Sequence, residues 1–456
     1  MPDRERWGGT PCRLAGLDRP AQCGTVERPL DPAAPGGATI AIHVARIPAS
    51  KAARRNPLYF FAGGPGQGAI AAFAPLLSAL DELGRDRDIV LVDQRGTGDS
   101  SPLACSSDPD APLSERMSPE VDVALLRRCL AGYQVDPRFF TTEIAVEDLD
   151  AVREALGDAR IDVIGGSYGT RAALVYTRAH PDRVGHMVLD GVAPVDMAMP
   201  SSFGVDGQAA LSRVFADCAA DPDCGPRFPD LERRFDAYLD GLAGQPRSMT
   251  LEDPRTGAVE TVVVQRDAIA HAVRGLLYVP QLQALLPLTL DRAVAGDLGP
   301  LLAQGSALGG GMSETMSQGM FLSVVCAEDV PFAAVPADPS FLGGAFVRLL
   351  QDSCAQWPRA NIDPHYRDPI VLETPTLLLS GALDPVTPPR WAEHALEGLP
   401  NGRHVVFPAA GHGNLTSACA RELIHGFLDD AESLADDCVA ESARPPFFLD
   451  LAGPPT

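Results

Sequence analysis

The sequence predicts an α/β protein with a mostly parallel central sheet, helices on both faces and a large, mainly helical insertion. Three observations lead there. Short apolar runs of the kind buried on both faces of a parallel sheet recur along the chain. Helical patterns lie between several of them. The alternation then stops after Pro194 and resumes near Glu373.

In order along the chain, residues Ala38 to Ile47 alternate apolar and polar like a half-buried strand. Short runs follow at Pro57–Phe61, Ile89–Val92, Ile161–Ile164, Met187–Leu189, Thr376–Leu379 and His404–Phe407. The helical patterns fall at Ile70–Leu83, Val146–Leu156, Arg171–Ala179, Trp391–Leu399 and Glu422–Leu428. Residues 100–142 read as a loop with one short helix. The expected division is a core part at 1–194, a mainly helical cap at 195–372, punctuated by Gly305–Gly311, and a second core part at 373–456.

A chain of 456 residues has room for a domain with such an insertion, and 45% apolar residues suffice for a real core. A net charge of −23 repels phosphate backbones and anionic headgroups, which argues against nucleic-acid or membrane-surface binding. No run reaches the roughly 18–20 apolar residues of a membrane-spanning helix. The opening Met1–Trp7 has no apolar core of a signal peptide. The ten cysteines point outward even so. Taken in order they form five local pairs, Cys12–Cys23, Cys105–Cys129, Cys218–Cys224, Cys326–Cys354 and Cys419–Cys438. An even count with local pairing fits disulfides and an oxidising compartment, secreted or periplasmic, and no spacing resembles a zinc site. No cofactor or metal is expected, and the chain reads as a monomer.

The chemistry concentrates at Ile164-Gly165-Gly166-Ser167-Tyr168-Gly169-Thr170. A G-x-S-x-G run between a buried strand and a helix is the setting of a nucleophile elbow, as in the α/β-hydrolase fold. Small residues are needed there, because side chains at Gly165 or Gly169 would meet the neighbouring strand and helix. The elbow sets Ser167 at a helix N-terminus, where backbone N–H groups favour negative charge. A serine hydroxyl needs a base, and the base needs an orienting acid. In the order Ser, acid, His, the chain supplies Asp384 in Gly381-Ala382-Leu383-Asp384-Pro385 and His412 in Gly411-His412-Gly413. Asp190, ending the strand after the elbow helix, is the rival acid, with bracing of the elbow or cap hinge as its alternative role. Two donors must receive the oxyanion. The backbone N–H of Tyr168 is one, and that of Gly64, in Phe61-Ala62-Gly63-Gly64-Pro65-Gly66, is assigned as the other.

Together, Gly63-Gly64-Pro65-Gly66, Asp93-Gln94-Arg95-Gly96-Thr97-Gly98 and Gly165-Gly166-Ser167-Tyr168-Gly169 resemble the proline iminopeptidase and tripeptidyl aminopeptidase family of α/β-hydrolases. Thr374–His412 resembles the C-terminal region of its tripeptidyl aminopeptidase type, and the likeness runs from Cys12 to Cys438. Where that family often has His or Asn before the Gly-Gly-Pro-Gly run, this chain has Ala62. The resemblance implies a serine exopeptidase that removes N-terminal residues or short peptides, or acts on the esters and arylamides that mimic them. A carboxylesterase with the same triad is the alternative, and a binding protein on a hydrolase scaffold a third. An aminopeptidase must anchor a substrate ammonium. Glu328 and Asp329, beside Cys326, are the candidates, with a Cys326–Cys354 bridge to hold them rigid. The turn around Asp93 and Arg95 reads as structural.

Overall fold

Nine strands share one sheet in the computed structural model, which describes residues 7–454 apart from 106, 107, 109, 119, 336–339, 343, 432, 433, 435 and 442, with backbone alone at 308–314. The six residues at the start of the chain, read above for a leader, lie outside the described part. The strands are β1 (Thr10–Cys12), β2 (Ala21–Pro29), β3 (Thr39–Ile47), β4 (Leu58–Phe61), β5 (Ile89–Val92), β6 (Ile161–Gly166), β7 (Val184–Asp190), a separate hairpin of β8 (Arg247–Glu252) and β9 (Val259–Val264), then β10 (Thr376–Gly381) and β11 (Gly402–Phe407). The sheet order is β1-β2-β3-β5-β4-β6-β7-β10-β11. From β5 to β11 every pair is parallel, whereas β1, β2 and β3 extend one edge antiparallel.

Parallel strands are buried on both faces, so their side chains feed two cores. Tyr59, Phe61, Val163 and Leu189 enter one, while Leu58, Phe60, Ile164 and Val188 enter the other. The period-2 alternation within an all-apolar run does this. The helices Thr142–Leu156 and Tyr168–Ala179 cover the first face, and Ala418–Asp429 the second.

β1 and β2 had no clear signal in the sequence. β2 reads Ala-Gln-Cys-Gly-Thr-Val-Glu-Arg-Pro and is mostly half-exposed. An antiparallel strand near the edge can keep one face in water, so it needs no apolar run. The single helix expected at Ile70–Leu83 is broken into Ala69–Phe73 and two 3₁₀ turns at Ala74–Leu76 and Asp81–Gly84. Pro75 lacks the N–H that a continuous helix needs there. Residues 100–142 carry two short helices, Leu113–Arg116 and Val123–Gly132, and a 3₁₀ turn at Pro137–Phe139, in place of one helix.

Between β7 and β10 the chain is mainly helical but also holds the β8–β9 hairpin. Gly305–Gly311 falls inside a helix, Gly299–Thr315, instead of punctuating the chain. This segment builds a third core around Leu211, Phe215, Phe235, Val273 and Leu286, which also recruits Leu113 and Phe447 from outside it. Disulfides join Cys12–Cys23, Cys105–Cys129, Cys218–Cys224, Cys326–Cys354 and Cys419–Cys438. In the chain-entropy picture each closed loop is worth about 2–4 kcal/mol. Among the described residues no helix is long and apolar enough to cross a membrane.

Candidate active site

The carboxyl ends of β4, β6, β7, β10 and β11 lead directly into the Gly63–Gly64 loop, Ser167, Asp190, Asp384 and His412. In open parallel sheets that edge is where sites form, because the connecting loops are free to vary there.

Ser167 sits between β6 and the helix Tyr168–Ala179 with φ 54° and ψ −126°, a backbone state rare for a residue with a side chain. Close packing forces the turn. A side chain at Gly169 would run into the carbonyl oxygens of Phe61 and Ala62 on the β4 loop. The Ser167 N–H donates to the Asp190 carbonyl at 2.8 Å, which ties the elbow to the end of β7. From the other side the glycine loop closes in, since a Cβ at Gly63 would lie 3.1 Å from Ser167 Cβ. The backbone of Gly64 and the first N–H of the elbow helix, at Tyr168, therefore belong to the same small region.

His412 Nδ1 lies 2.8 Å from Asp384 Oδ2. Asp384 is fully enclosed and held by a local turn: its Oδ1 accepts from the backbone N–H groups of Val386 (2.8 Å) and Thr387 (2.9 Å), and its Oδ2 from Thr387 Oγ1 (2.7 Å). Burial alone would raise its pKa, but His412 and these donors outweigh it and hold the carboxyl below its ordinary value. An ionised Asp384 accepts from Nδ1–H, which leaves Nε2 as the lone-pair nitrogen. Burial pushes the imidazole down; the charge and hydrogen bond of Asp384 push it up further, with help from Asp190, so His412 lies above its ordinary value.

Asp190 is not against the imidazole nitrogen. Its carboxylate accepts from the backbone N–H and side-chain amide of Asn414 and from the N–H of Leu415. Through its carbonyl it holds Ser167, and through its carboxylate it holds the loop just past His412. Gly191 completes the join, because a Cβ there would stand 3.3 Å from His412 Cε1. One residue thus sets the serine and histidine loops relative to each other.

Glu328 and Asp329 need a correction. Both are wholly buried, behind the elbow helix. Glu328 accepts from Thr142 N (2.7 Å), Thr142 Oγ1 (2.8 Å) and the Tyr366 hydroxyl. Asp329 accepts from Arg171 Nη1 at 3.1 Å to each oxygen and from Met199 N at 3.2 Å. Carboxylates so occupied cannot also take a substrate ammonium, so the anchor role is withdrawn. They brace instead: the Thr142 hydroxyl also meets the Tyr168 hydroxyl at 2.6 Å, and Arg171 Nη2 donates to the carbonyls of Pro194 and Met197. Arg95 is a similar internal clamp, bonded to Asp148 through Nε (2.7 Å) and Nη2 (2.9 Å), as its reading as structural requires.

Three features had no part in the sequence reading. Thr387 Oγ1 lies 3.0 Å from His412 Nδ1; its place three residues after Asp384 was the available signal. The Tyr278 carbonyl accepts from His412 N at 3.0 Å, and its ring meets the imidazole edge-on at 5.2 Å. Arg274, one helical turn before Tyr278, stacks on it. Both come from the inserted segment, far from the triad candidates in sequence, so no local pattern marks them. A cavity of about 560 Å³ lined by Val121, Asp267, His271, Ala345, Arg348 and Asp352 lies elsewhere and includes none of the elbow, Asp384 or His412 residues.

A serine elbow on a parallel sheet, covered by a long inserted segment, defines an α/β-hydrolase. Residues 56–216 match the alpha/beta hydrolase fold family and residues 340–440 the TAP-like protein family. Carboxylesterase B of Mycobacterium tuberculosis is 31% identical over 422 residues, 81% of this chain and 76% of that protein. The serine protease Hip1 of Mycobacterium tuberculosis is 31% identical over 256 residues, 50% of this chain and 48% of the relative, so the match spans about half the length of that protein. The tripeptidyl aminopeptidase of Streptomyces coelicolor is 31% identical over 194 residues, 39% of this chain and 36% of the relative. The chain belongs to the α/β-hydrolase family of the proline iminopeptidases and tripeptidyl aminopeptidases.

Proposed function

We propose that Ser167, His412 and Asp384 form a catalytic triad that opens ester or amide bonds through an acyl-enzyme. The observation that supports this reading is the joint at Asp190, whose carbonyl accepts from the Ser167 N–H and whose carboxylate holds the loop just past His412, with His412 Nδ1 2.8 Å from Asp384. Ser167 Oγ attacks the carbonyl while His412 Nε2 takes its proton. The oxyanion is received by the N–H groups of Tyr168 and Gly64. The imidazolium, held by Asp384, returns the proton to the leaving group, and water then releases the acyl part by the same steps. With five disulfides the reading places the protein in an oxidising compartment, secreted or periplasmic.

For the substrate, a carboxylesterase is the reading the geometry favours, because the carboxylates expected to anchor an ammonium are occupied in the core. Short aryl esters should be hydrolysed, and acetylating the amine of an aminoacyl arylamide should leave its rate within a few fold. A specific likeness favours the second reading, an exopeptidase: the tripeptidyl aminopeptidase relative and the TAP-like match at residues 340–440. A panel of aminoacyl and tripeptidyl arylamides and aryl esters, each with free and blocked amino termini, separates the two. Strict dependence on a free amine would establish the exopeptidase and sink the esterase.

The base must be unprotonated to act, so kcat/KM should rise with pH through the His412 pKa. That acid limb should lie above the ordinary imidazole value, since Asp384 holds the proton on. In the residual activity of Asp384→Asn the limb should move to lower pH, because the stabilising charge is gone. A pH–rate profile of both proteins checks this, and an unmoved limb would assign it to another group.

A further inference from the structure

Arg274 is unusually placed for a cation in this chain. Its guanidinium carbon stands 4.8 Å from the Phe203 ring centre, 5.3 Å from that of Tyr278 and 4.9 Å from that of Phe346. Nη2 donates to the Tyr278 hydroxyl at 2.8 Å, while Nε is buried with no hydrogen-bond partner. Among the described residues no carboxylate lies within 4.0 Å of it, in a sequence with 60 acidic and 37 basic residues. Most of the buried or half-buried arginines here are paired, as Arg46, Arg95 and Arg171 are. His271, one turn earlier on the same helix and edge-on to Phe346, does not share the role. Burial first and the Arg274 charge second push it down to about 4, so it is neutral.

The place matters as much as the missing partner. Tyr278 joins Arg274 directly to His412, by the hydroxyl on one side and by the ring and carbonyl on the other. Aromatic faces hold a guanidinium rigid without neutralising it, and a rigid fork suits a carboxylate. With three rings around it the guanidinium is partly withdrawn from water, where a charge contact is stronger than on the open surface.

We propose that Arg274 is a specificity-determining residue that receives a carboxylate on the substrate, close to the bond being cleaved. This rests on the triad reading above and adds the substrate class to it: anionic esters or acidic peptides, not cationic ones. The carboxylate can sit in the acyl part or in the leaving group, and both present the same chemistry to Arg274.

Matched pairs test this. For the acyl side, the 4-nitrophenyl ester of monomethyl glutarate is compared with that of glutarate carrying its free acid. For the leaving-group side, short peptides with a free C-terminal carboxylate are compared with their amides. The unmutated protein should prefer the charged member of one pair by about 10–100-fold in kcat/KM, the range of a charge-assisted contact. Added salt should reduce that preference. Arg274→Gln should bring the ratio close to one, and Arg274→Lys should restore part of it. The pair that shows the preference names the side on which the carboxylate sits. Preference for the neutral members, or a ratio left unchanged by Arg274→Gln, would overturn the proposal; should that variant fail to fold, the ratio and its salt dependence in the unmutated protein still decide. Hydrolysis of every substrate without a charge preference refutes only this proposal, whereas turnover that persists in Ser167→Ala refutes the triad beneath it.

Discussion

Replacing Ser167 by Ala, or His412 by Ala, should lower kcat by about 10⁴–10⁶-fold with the fold intact, because triad members act as a unit and little is left once one is gone. Neither change should unfold the protein. Ser167→Ala keeps the backbone N–H that bonds the Asp190 carbonyl. At His412 the backbone bond to the Tyr278 carbonyl remains. Asp384→Asn should cost up to about 10⁴-fold, since an amide can hold the ring in place yet favour the wrong tautomer. Asp190→Asn serves as the contrast. It keeps the shape but exchanges one acceptor oxygen for a donor facing Asn414 and Leu415 N–H groups, so its main loss should be in stability. Rates on a short aryl ester, with circular dichroism for folding, decide the matter. If Asp384→Asn were harmless and Asp190→Asn abolished turnover, the acid would be Asp190.

The second large effect belongs to Arg171. It is wholly buried with Asp329, stands 4.0 Å from Glu328, and holds the chain leaving β7 through the carbonyls of Pro194 and Met197. Arg171→Met removes the cation and leaves two buried carboxylates without it, which should destabilise by about 3–5 kcal/mol. The loss should depend on pH. Burial, opposed by Arg171, already pushes Glu328 up to about 7, above its ordinary value. A carboxyl with a raised folded-state pKa contributes stability fully below its ordinary value and loses it as pH rises through the folded value. Without Arg171 that pKa rises further, so the variant should be weakest at neutral and alkaline pH and recover toward pH 5. Chemical denaturation at several pH values measures this, and a loss independent of pH would show that the carboxylates are not the cause.

Much of the candidate site could be read from the chain alone. The elbow at Ser167, the glycine loop at Gly63–Gly64 and the late Asp384 and His412 are each marked by a short local pattern. A turn that must bring backbone against backbone admits only small residues, as Gly169 against Phe61 shows, and such turns leave a trace in the sequence. The apolar runs of β4, β5, β6 and β10 were equally plain, because a strand buried on both faces has no freedom to be polar. Asp384 was preferred over Asp190 on loop character; in the fold Asp384 meets His412 Nδ1, while Asp190 has its oxygens filled by the His412 loop.

Other features depended on contacts between residues far apart in sequence. Whether Glu328 and Asp329 face a substrate or the core is decided by Thr142, Tyr366 and Arg171, which lie 186, 38 and 158 residues away along the chain. A carboxylate pair beside a disulfide reads the same in either setting. The antiparallel strand β2, next to the sheet edge, was hidden because its partly wet face imposes no pattern. Arg274 lies on a helix and Tyr278 in the turn just after it, in a segment that reads as ordinary cap, and only the packing of that segment against His412 brings them to the site. Sequence alone marked the candidate groups, since strain and close approach demand particular residue types nearby. Tertiary structure decided which charges surround them, since long-range pairing places few demands on neighbours in the chain.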